Sequence, residues 1–210
     1  MHIENYKEQL ILDLHTIEAI KFGEFKLKSG LLSPYYLDLR MLVSYPYLLE
    51  LTAEVFWETL RVLSFDIVVG VPYTAIPIAT AISLKHNQTT VFVRKEAKDY
   101  GTKRLLEGAF HPGQIAIVVD DVISDGKSKI ETITPLKEAG LTVNDIVVLL
   151  DRDQGGVELI KRHGYNCHSI FNVNQIFETL LKYKRVTKDM VEKSQKFNKE
   201  SRKKFLGKKR

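Results

Sequence analysis

Two adjacent carboxylates at the end of an apolar run, followed by a loop of serine and glycine, mark the stretch best equipped for chemistry. It reads Ile117-Val118-Val119-Asp120-Asp121-Val122-Ile123-Ser124-Asp125-Gly126-Lys127-Ser128. The β-branched residues bring the backbone out of a sheet, and Lys129 to Gly140 reads as a helix closed by a glycine. A strand–loop–helix of this kind aims backbone N–H groups, and the positive end of a helix dipole, at whatever sits above the loop. Such a cradle suits a phosphate, and the paired carboxylates suit hydroxyl groups and a divalent cation. Together these describe a site for a sugar phosphate.

Ligands of parallel sheets gather at the carboxyl ends of the strands. Three more segments fall at such ends: Gly70-Val71-Pro72-Tyr73-Thr74, Arg94-Lys95 and Asp151-Arg152. A solitary Asp-Asp pair after a strand is more often a solvated strand end or a helix cap. Convergence of all four segments on one edge outweighs that plainer reading.

The elements that must position these groups follow from periodicity. Apolar, β-branched strands at 66–70, 89–93, 114–119, 145–150 and 167–171 alternate with helices near 75–85, 128–139 and 155–163. Strands separated by helices imply right-handed crossovers, hence an α/β fold with a mainly parallel, doubly wound sheet. Ahead of them, Ile3 to Ile20 carries apolar residues at helical spacing. Phe25–Leu27 and Pro34–Leu39 read as short strands around Lys28-Ser29-Gly30, and Ser44 and Pro46 start a helix to about Leu63. Helices near 174–183 and 188–199 close the chain, with Met190 and Val191 as packing residues and Lys203 to Arg210 expected to fray. Arg94 to Pro112 is too long and too charged for an ordinary connection and reads as a lid.

Bulk composition excludes several classes. With 210 residues, 44% hydrophobic and 27% charged, the chain suits one α/β domain with an accessory hood. The single cysteine, Cys167, excludes an internal disulfide framework and reads as a structural thiol in a strand. No apolar run approaches a bilayer span and the N-terminus does not read as a signal sequence, so a cytoplasmic protein with no membrane partner is expected. The six histidines show no metal-ligand spacing. The net charge of +5 is unevenly placed: residues 184–210 hold 12 Lys/Arg against three acids, leaving the rest at −4. A mildly acidic body with a basic end argues against specific nucleic-acid binding.

Residues 117–128 resemble the phosphoribosyl-diphosphate (PRPP) motif of type I phosphoribosyltransferases. Phe22-Gly23-Glu24-Phe25-Lys26-Leu27-Lys28-Ser29-Gly30 with Ser33-Pro34-Tyr35-Tyr36 resembles the hood signature of orotate phosphoribosyltransferases. Arg94-Lys95-Glu96-Ala97-Lys98-Asp99-Tyr100-Gly101 is similar to their mobile catalytic loop, and Leu150-Asp151-Arg152-Asp153-Gln154-Gly155-Gly156 to the strand end supplying their orotate-binding arginine. The four motifs occur in the expected order. Tyr100, Val71-Pro72-Tyr73-Thr74 and Leu37-Asp38-Leu39-Arg40 look more like the phosphoribosyltransferase half of bifunctional UMP synthase than the shorter bacterial enzymes.

The resemblance implies a type I phosphoribosyltransferase fold at residues 1–183, with the hood largely from 1–45, the core from about 46–183, and a basic C-terminal helix and tail at 184–210. It implies the reaction of orotate with PRPP, with Mg²⁺, to orotidine 5′-monophosphate and diphosphate, a step of pyrimidine biosynthesis. Lys98, Lys28, Asp120 and Asp121 would be catalytic. PRPP would meet Lys28, Tyr73, Thr74, Arg94, Lys95, Lys98, Tyr100, Asp120, Asp121 and the loop Val122, Ile123, Ser124, Asp125, Gly126, Lys127 and Ser128. Orotate would meet Lys28, Tyr36, Leu37, Ser124 and Arg152. Mg²⁺ would be held through substrate and water, with Asp120 and Asp121 as candidate ligands. In this family the loop reaches into the neighbouring subunit's site, so a homodimer with Lys98 acting in trans is implied.

Three positions depart from the bacterial pattern: Tyr100 stands for a frequent histidine, Thr74 for a lysine, and Asp125 for a small residue in the phosphate loop. Asp125 would oppose a phosphate unless it points outward or pairs with Lys127. The rival readings are a purine phosphoribosyltransferase, which needs a different hood, and a PRPP-sensing regulator with a nucleic-acid-binding tail, which needs no leaving-group cations.

Overall fold

A computed structural model describes residues 3–27, 30–94 and 105–207. Lys28, Lys95, Lys98, Tyr100 and most of the expected lid lie outside the described residues.

The apolar four-residue run Ile67–Gly70 (β3) is buried along its whole length and sits in the middle of a six-stranded sheet. Fully burying a valine or isoleucine side chain is worth roughly 1.5–3 kcal/mol over leaving it exposed, so a short strand of this composition is stable only inside. Around it lie β4 (Thr89–Val93), β5 (Leu106–Glu107), β6 (Ile115–Ile123), β7 (Thr142–Asp151) and β8 (Asn166–Asn172), in the order β5-β4-β3-β6-β7-β8. All neighbours are parallel except β4 and β5, which pair antiparallel. The span of the expected lid thus includes a strand that periodicity did not reveal, because two residues carry no period.

Helices cover both faces. One side is filled by α1 (Ile3–Thr16), α2 (Pro46–Leu60), most of α3 (Ala75–His86) and α6 (Val173–Lys182), around Phe56, Ile78, Ile82, Val119 and Phe177. The other is filled by α4 (Lys127–Glu138) and α5 (Gly156–Arg162), through Ile133, Leu136 and Ile160 against Val118, Ile123 and Val148. Alternate residues of a strand face opposite sides, so on β6 Ile117 and Val119 look to the first side, and Ala116 and Val118 to the second.

The hood is a two-stranded antiparallel sheet, β1 (Ile20–Lys26) with β2 (Leu32–Leu37), followed by a short 3₁₀ helix at Leu39–Ser44. Here the sequence reading needs correction. The first helix stops at Thr16, Glu18 turns the chain with φ of 59°, and Ile20 is already in a strand. Helix α6 follows β8 without a loop because Asn172 caps it: its Oδ1 accepts from Asn174 N at 2.9 Å while Asn172 N donates to Gln175 Oε1 at 2.8 Å. Cys167 is partly buried, and burial pushes its thiol up to about 11, in keeping with a structural role.

The C-terminal segment is corrected too. Helix α7 runs from Lys188 to Gly207, well past the expected end at 199. Its inner face packs on β2 and on the loop after β7 through Phe197, Asn198 and Arg202.

Candidate active site

Strand order creates the cleft. From β3 the chain leaves outward to β4, whereas β6 pairs with the other edge of β3, through Val69↔Val118 and Gly70↔Val119. The order reverses between β3 and β6, and a crevice opens above their carboxyl ends, the usual place for a ligand in an open α/β sheet. Gly70-Val71-Pro72-Tyr73-Thr74 and the loop Ser124–Gly126 border it.

Gly70 lets α3 start against the strand end: a Cβ there would stand 2.5 Å from the Ala75 carbonyl oxygen and 3.0 Å from Ile76 Cα. The turn is pinned by Val71 N donating to Val119 O at 3.0 Å, and its Pro72–Tyr73 peptide is cis. Tyr73 is exposed, and Thr74 stands at the N-cap position of α3 without a side-chain capping hydrogen bond.

Strand β6 does not end at Val119. Its pairing with β7 continues to Ile123↔Asp151, so both carboxylates and Asp151 lie within strands. The polar residues interrupt the apolar run without interrupting the ladder. The two neighbours consequently have different fates. Asp120 points toward α4 and is 4% exposed, with Lys129 Nζ 2.5 Å from its Oδ2. Lys129, itself 2% exposed, also donates to the Val122 carbonyl and to Ser128 Oγ at 3.4 Å. Asp120, expected to meet the ribose hydroxyls directly or through Mg²⁺ and water, thus has a buried counter-ion in Lys129.

Asp121 lies near enough to Arg40, after the hood strands, for its charge to act there, and keeps an accessible edge while lying deep among protein atoms. Burial, and then the charge of Asp120, hold its carboxyl well above the ordinary carboxylate range. Among the described residues no cluster of three or more metal-ligating side chains occurs. One accessible carboxylate nonetheless fits Mg²⁺, which takes one or two carboxylates and completes its shell with substrate oxygens and water.

The loop after β6 has the conformation a phosphate cradle needs. Gly126 has φ of 80° and caps α4, placing the helix's positive end at the loop. Asp125 turns to Lys127, accepting from its backbone N at 3.1 Å and lying 3.8 Å from its ammonium, with both side chains largely exposed. Of the two arrangements expected for this unusual carboxylate, pointing outward or pairing with Lys127, it shows both, a loose pair on the exposed face of the loop. It also takes the Lys127 amide, one of the donors assigned to a phosphate.

Arg152 enters from the end of β7, fixed by its backbone N donating to Ile123 O at 3.0 Å. Its Nε donates to Tyr35 Oη at 3.3 Å, its guanidinium lies 4.9 Å from the Tyr35 ring centroid, and its Nη2 is buried with no hydrogen-bond partner among the described residues. An ion pair with Asp151 or Asp153 was the plainer alternative, and Asp153 pairs with Arg202 instead. The phosphate loop and the Arg152 loop touch through glycines: a Cβ on Gly126 would meet Gly156 O at 3.1 Å, and one on Gly156 would meet Ser124 O at 2.7 Å.

The remaining expected residues are less united. Tyr36 and Leu37 end β2 under the hood, where the Tyr36 ring lies 5.5 Å from Phe25. Arg94 lies at the end of β4 with its Nη1 donating to Glu107 Oε1 at 3.1 Å, so its charge is shared within the β4–β5 hairpin. Sequence reasoning missed Lys129 and Arg40. Lys129 was discoverable as a charge on the inward stripe Lys129, Thr132, Ile133, Leu136 of α4. Arg40 grips Asp38 at 2.6 and 2.8 Å, borders a 190 Å³ pocket with Tyr73 and Thr74, and is near enough to Asp121 to feel its charge.

Residues 42–184 match the family described as phosphoribosyl transferase domain. The chain is 42% identical over 194 residues to uridine 5′-monophosphate synthase of Bos taurus, covering 91% of this chain and 40% of that protein. It is 41% identical over 172 residues to orotate phosphoribosyltransferase of Pyrobaculum aerophilum, covering 81% and 89% respectively. Among solved structures, the UMP synthase of Leishmania donovani superposes with a TM-score of 0.86 at 36% identity, over 92% of this chain and 42% of that one. The chain thus spans about two fifths of the length of the two synthases.

Proposed function

The chain belongs to the phosphoribosyltransferase family and, within it, to the orotate phosphoribosyltransferases, and on that premise we propose that it transfers the 5-phosphoribosyl group of PRPP to orotate. The products are orotidine 5′-monophosphate and diphosphate, in pyrimidine biosynthesis. The fold is that of the type I enzymes, a mainly parallel sheet between helices with a small hood.

One observation carries the reading. Arg152 presents a buried, unpartnered guanidinium edge one hydrogen bond away from the phosphate loop. A planar anion paired with that edge would lie beside a sugar phosphate seated on residues 124–128, the arrangement a glycosyl transfer to orotate requires.

In this reading the Ser124–Ser128 turn and the start of α4 hold the 5′-phosphate, and Asp121 accepts from the ribose hydroxyls. Asp120 acts indirectly, as the anchor of Lys129. As diphosphate leaves C1′ the sugar gains cationic character and the leaving oxygens gain negative charge, so donors aimed at those oxygens lower the barrier. Thr74, Tyr73 and Arg94, with Lys28, Lys95 and Lys98, belong to that role. Mg²⁺ bound at Asp121 would supply further positive charge to the diphosphate oxygens. A lid over the site would exclude water, which otherwise captures the sugar. We assign a homodimer to the active form. Met41, Val43, Tyr45 and Tyr47 are exposed around the corner from the 3₁₀ helix into α2, and Tyr73 is exposed at the site, a surface suited to a second copy. A cytoplasmic setting belongs to the same proposal; no helix among the described residues is long and apolar enough to cross a membrane.

The test is orotate absorbance in the presence of PRPP and Mg²⁺, with uracil, adenine and hypoxanthine as controls. Orotate alone should be consumed. Turnover of a purine, or of none of the four, overturns the proposal.

A further inference from the structure

Helix α7 lies beyond the segment matched to the family, yet it reaches the candidate acceptor site. Asn198, 2% exposed in its middle, accepts from Tyr35 Oη at 2.8 Å. Tyr35 is fully buried, edge-on to Phe177 at 5.2 Å and to Phe197 of α7 at 6.3 Å. The Tyr35 hydroxyl has one proton, and Asn198 takes it, which turns the oxygen lone pairs toward Arg152 Nε at 3.3 Å. A second link holds the same helix to the same loop: Arg202 pairs with Asp153 and Glu158, and Phe205 lies on Gly155.

We propose that Asn198 is a positioning residue of the acceptor site, acting through Tyr35 to orient the Arg152 guanidinium. The ring of Tyr35 fixes the face of that group and its hydroxyl fixes the Nε edge, so the Nη edge is presented in one orientation. One buried donor of the guanidinium, Arg152 Nη2, has no partner among the described residues. Leaving a buried N–H unmatched is costly, and an oxygen-rich planar anion paired with that edge would satisfy it. The inference rests on Arg152 as the partner of orotate.

The test compares orotidine 5′-monophosphate with ribose 5-phosphate by calorimetry, because the two share the sugar phosphate and differ in the base. It uses the full chain carrying Asn198→Leu, Tyr35→Phe, or both. Tyr35→Phe keeps the ring packing and serves if Asn198→Leu fails to fold. Each single change should weaken the nucleotide by about fivefold or more, as expected when a hydrogen bond to a charged group is misaligned, and leave ribose 5-phosphate within about twofold. The double variant should be no weaker than the worse single one, since both act through one hydroxyl. Equal weakening of both ligands, unchanged nucleotide affinity, or multiplying effects overturn the positioning role. If the unaltered chain itself fails to prefer the nucleotide, Arg152 is not the acceptor's partner and both readings fall.

Discussion

Replacing Lys129 by Met tests the buried ion pair directly. Met keeps most of the side-chain volume and the apolar stem, and removes only the ammonium. In the native fold the Lys129 side chain is 3% exposed and that of Asp120 6%, with 2.5 Å between the charged atoms. Water cannot replace the lost partner, so the variant carries an uncompensated buried carboxylate, a defect that costs about 3–5 kcal/mol. For a domain of this size that corresponds to a melting temperature lower by roughly 6–20 °C. The assay is thermal and urea unfolding of both proteins, ligand-free, followed by circular dichroism. Asp120→Asn in the Lys129→Met background removes the stranded charge and should recover most of the loss. A single variant within about 1 kcal/mol of the unaltered chain would refute the argument, as would a double variant no more stable than the single, since pairing then would not be what makes the buried carboxylate tolerable.

Two further outcomes are expected. Burial, and then Glu158, push Asp151 up to about 6 in the folded state, against an unfolded value of about 3.9. Between those values the folded chain holds the proton that the unfolded chain has released, so the contribution of Asp151 to stability falls as pH rises. Asp151→Asn should therefore gain stability relative to the unaltered chain from about pH 4 to about pH 6 and level off above; a flat or falling difference across that window contradicts the assignment. Gly70→Ala drives a methyl group into the Ala75 carbonyl and Ile76 Cα, backbone atoms that cannot step aside. It should lower the urea midpoint by the equivalent of about 1–3 kcal/mol, the usual cost of overpacking, and reduce PRPP turnover; unaltered stability would mean that α3 can lift off the strand end.

Much of this architecture was legible because it repeats. Apolar runs alternating with helical stripes dictate the parallel sheet, and the four informative segments fall at the expected edge. What was hidden shares one cause, polar residues inside ordered elements. Asp120 and Asp121 break the apolar run, yet β6 continues because its backbone pairs with β7 regardless of side chain. The inner face of α7 sets Ser194, Asn198 and Arg202 among Val191, Phe197 and Phe205, so its apolar stripe is interrupted, and its lysines disguise the far end as a solvated tail. Lys129 was passed over because a lysine is rarely buried, and it is buried here only because β6 delivers a carboxylate to meet it. The lid residues that carry most of the expected leaving-group cations lie outside the described residues, so Arg94 alone among the cations of that loop has a known place.

The glycine contact between the two loops has an architectural consequence. Backbone abuts backbone where Gly126 meets the Gly156 carbonyl and Gly156 meets that of Ser124, leaving no side chain as spacer. The span from sugar anchor to base anchor is thereby dictated by peptide geometry and has no adjustable component. Relatives evolving toward a larger or differently shaped base cannot widen that gauge by ordinary substitution. They must rework the hood or exchange the arginine itself, so diversification of acceptors should concentrate at those two places and spare the paired turns.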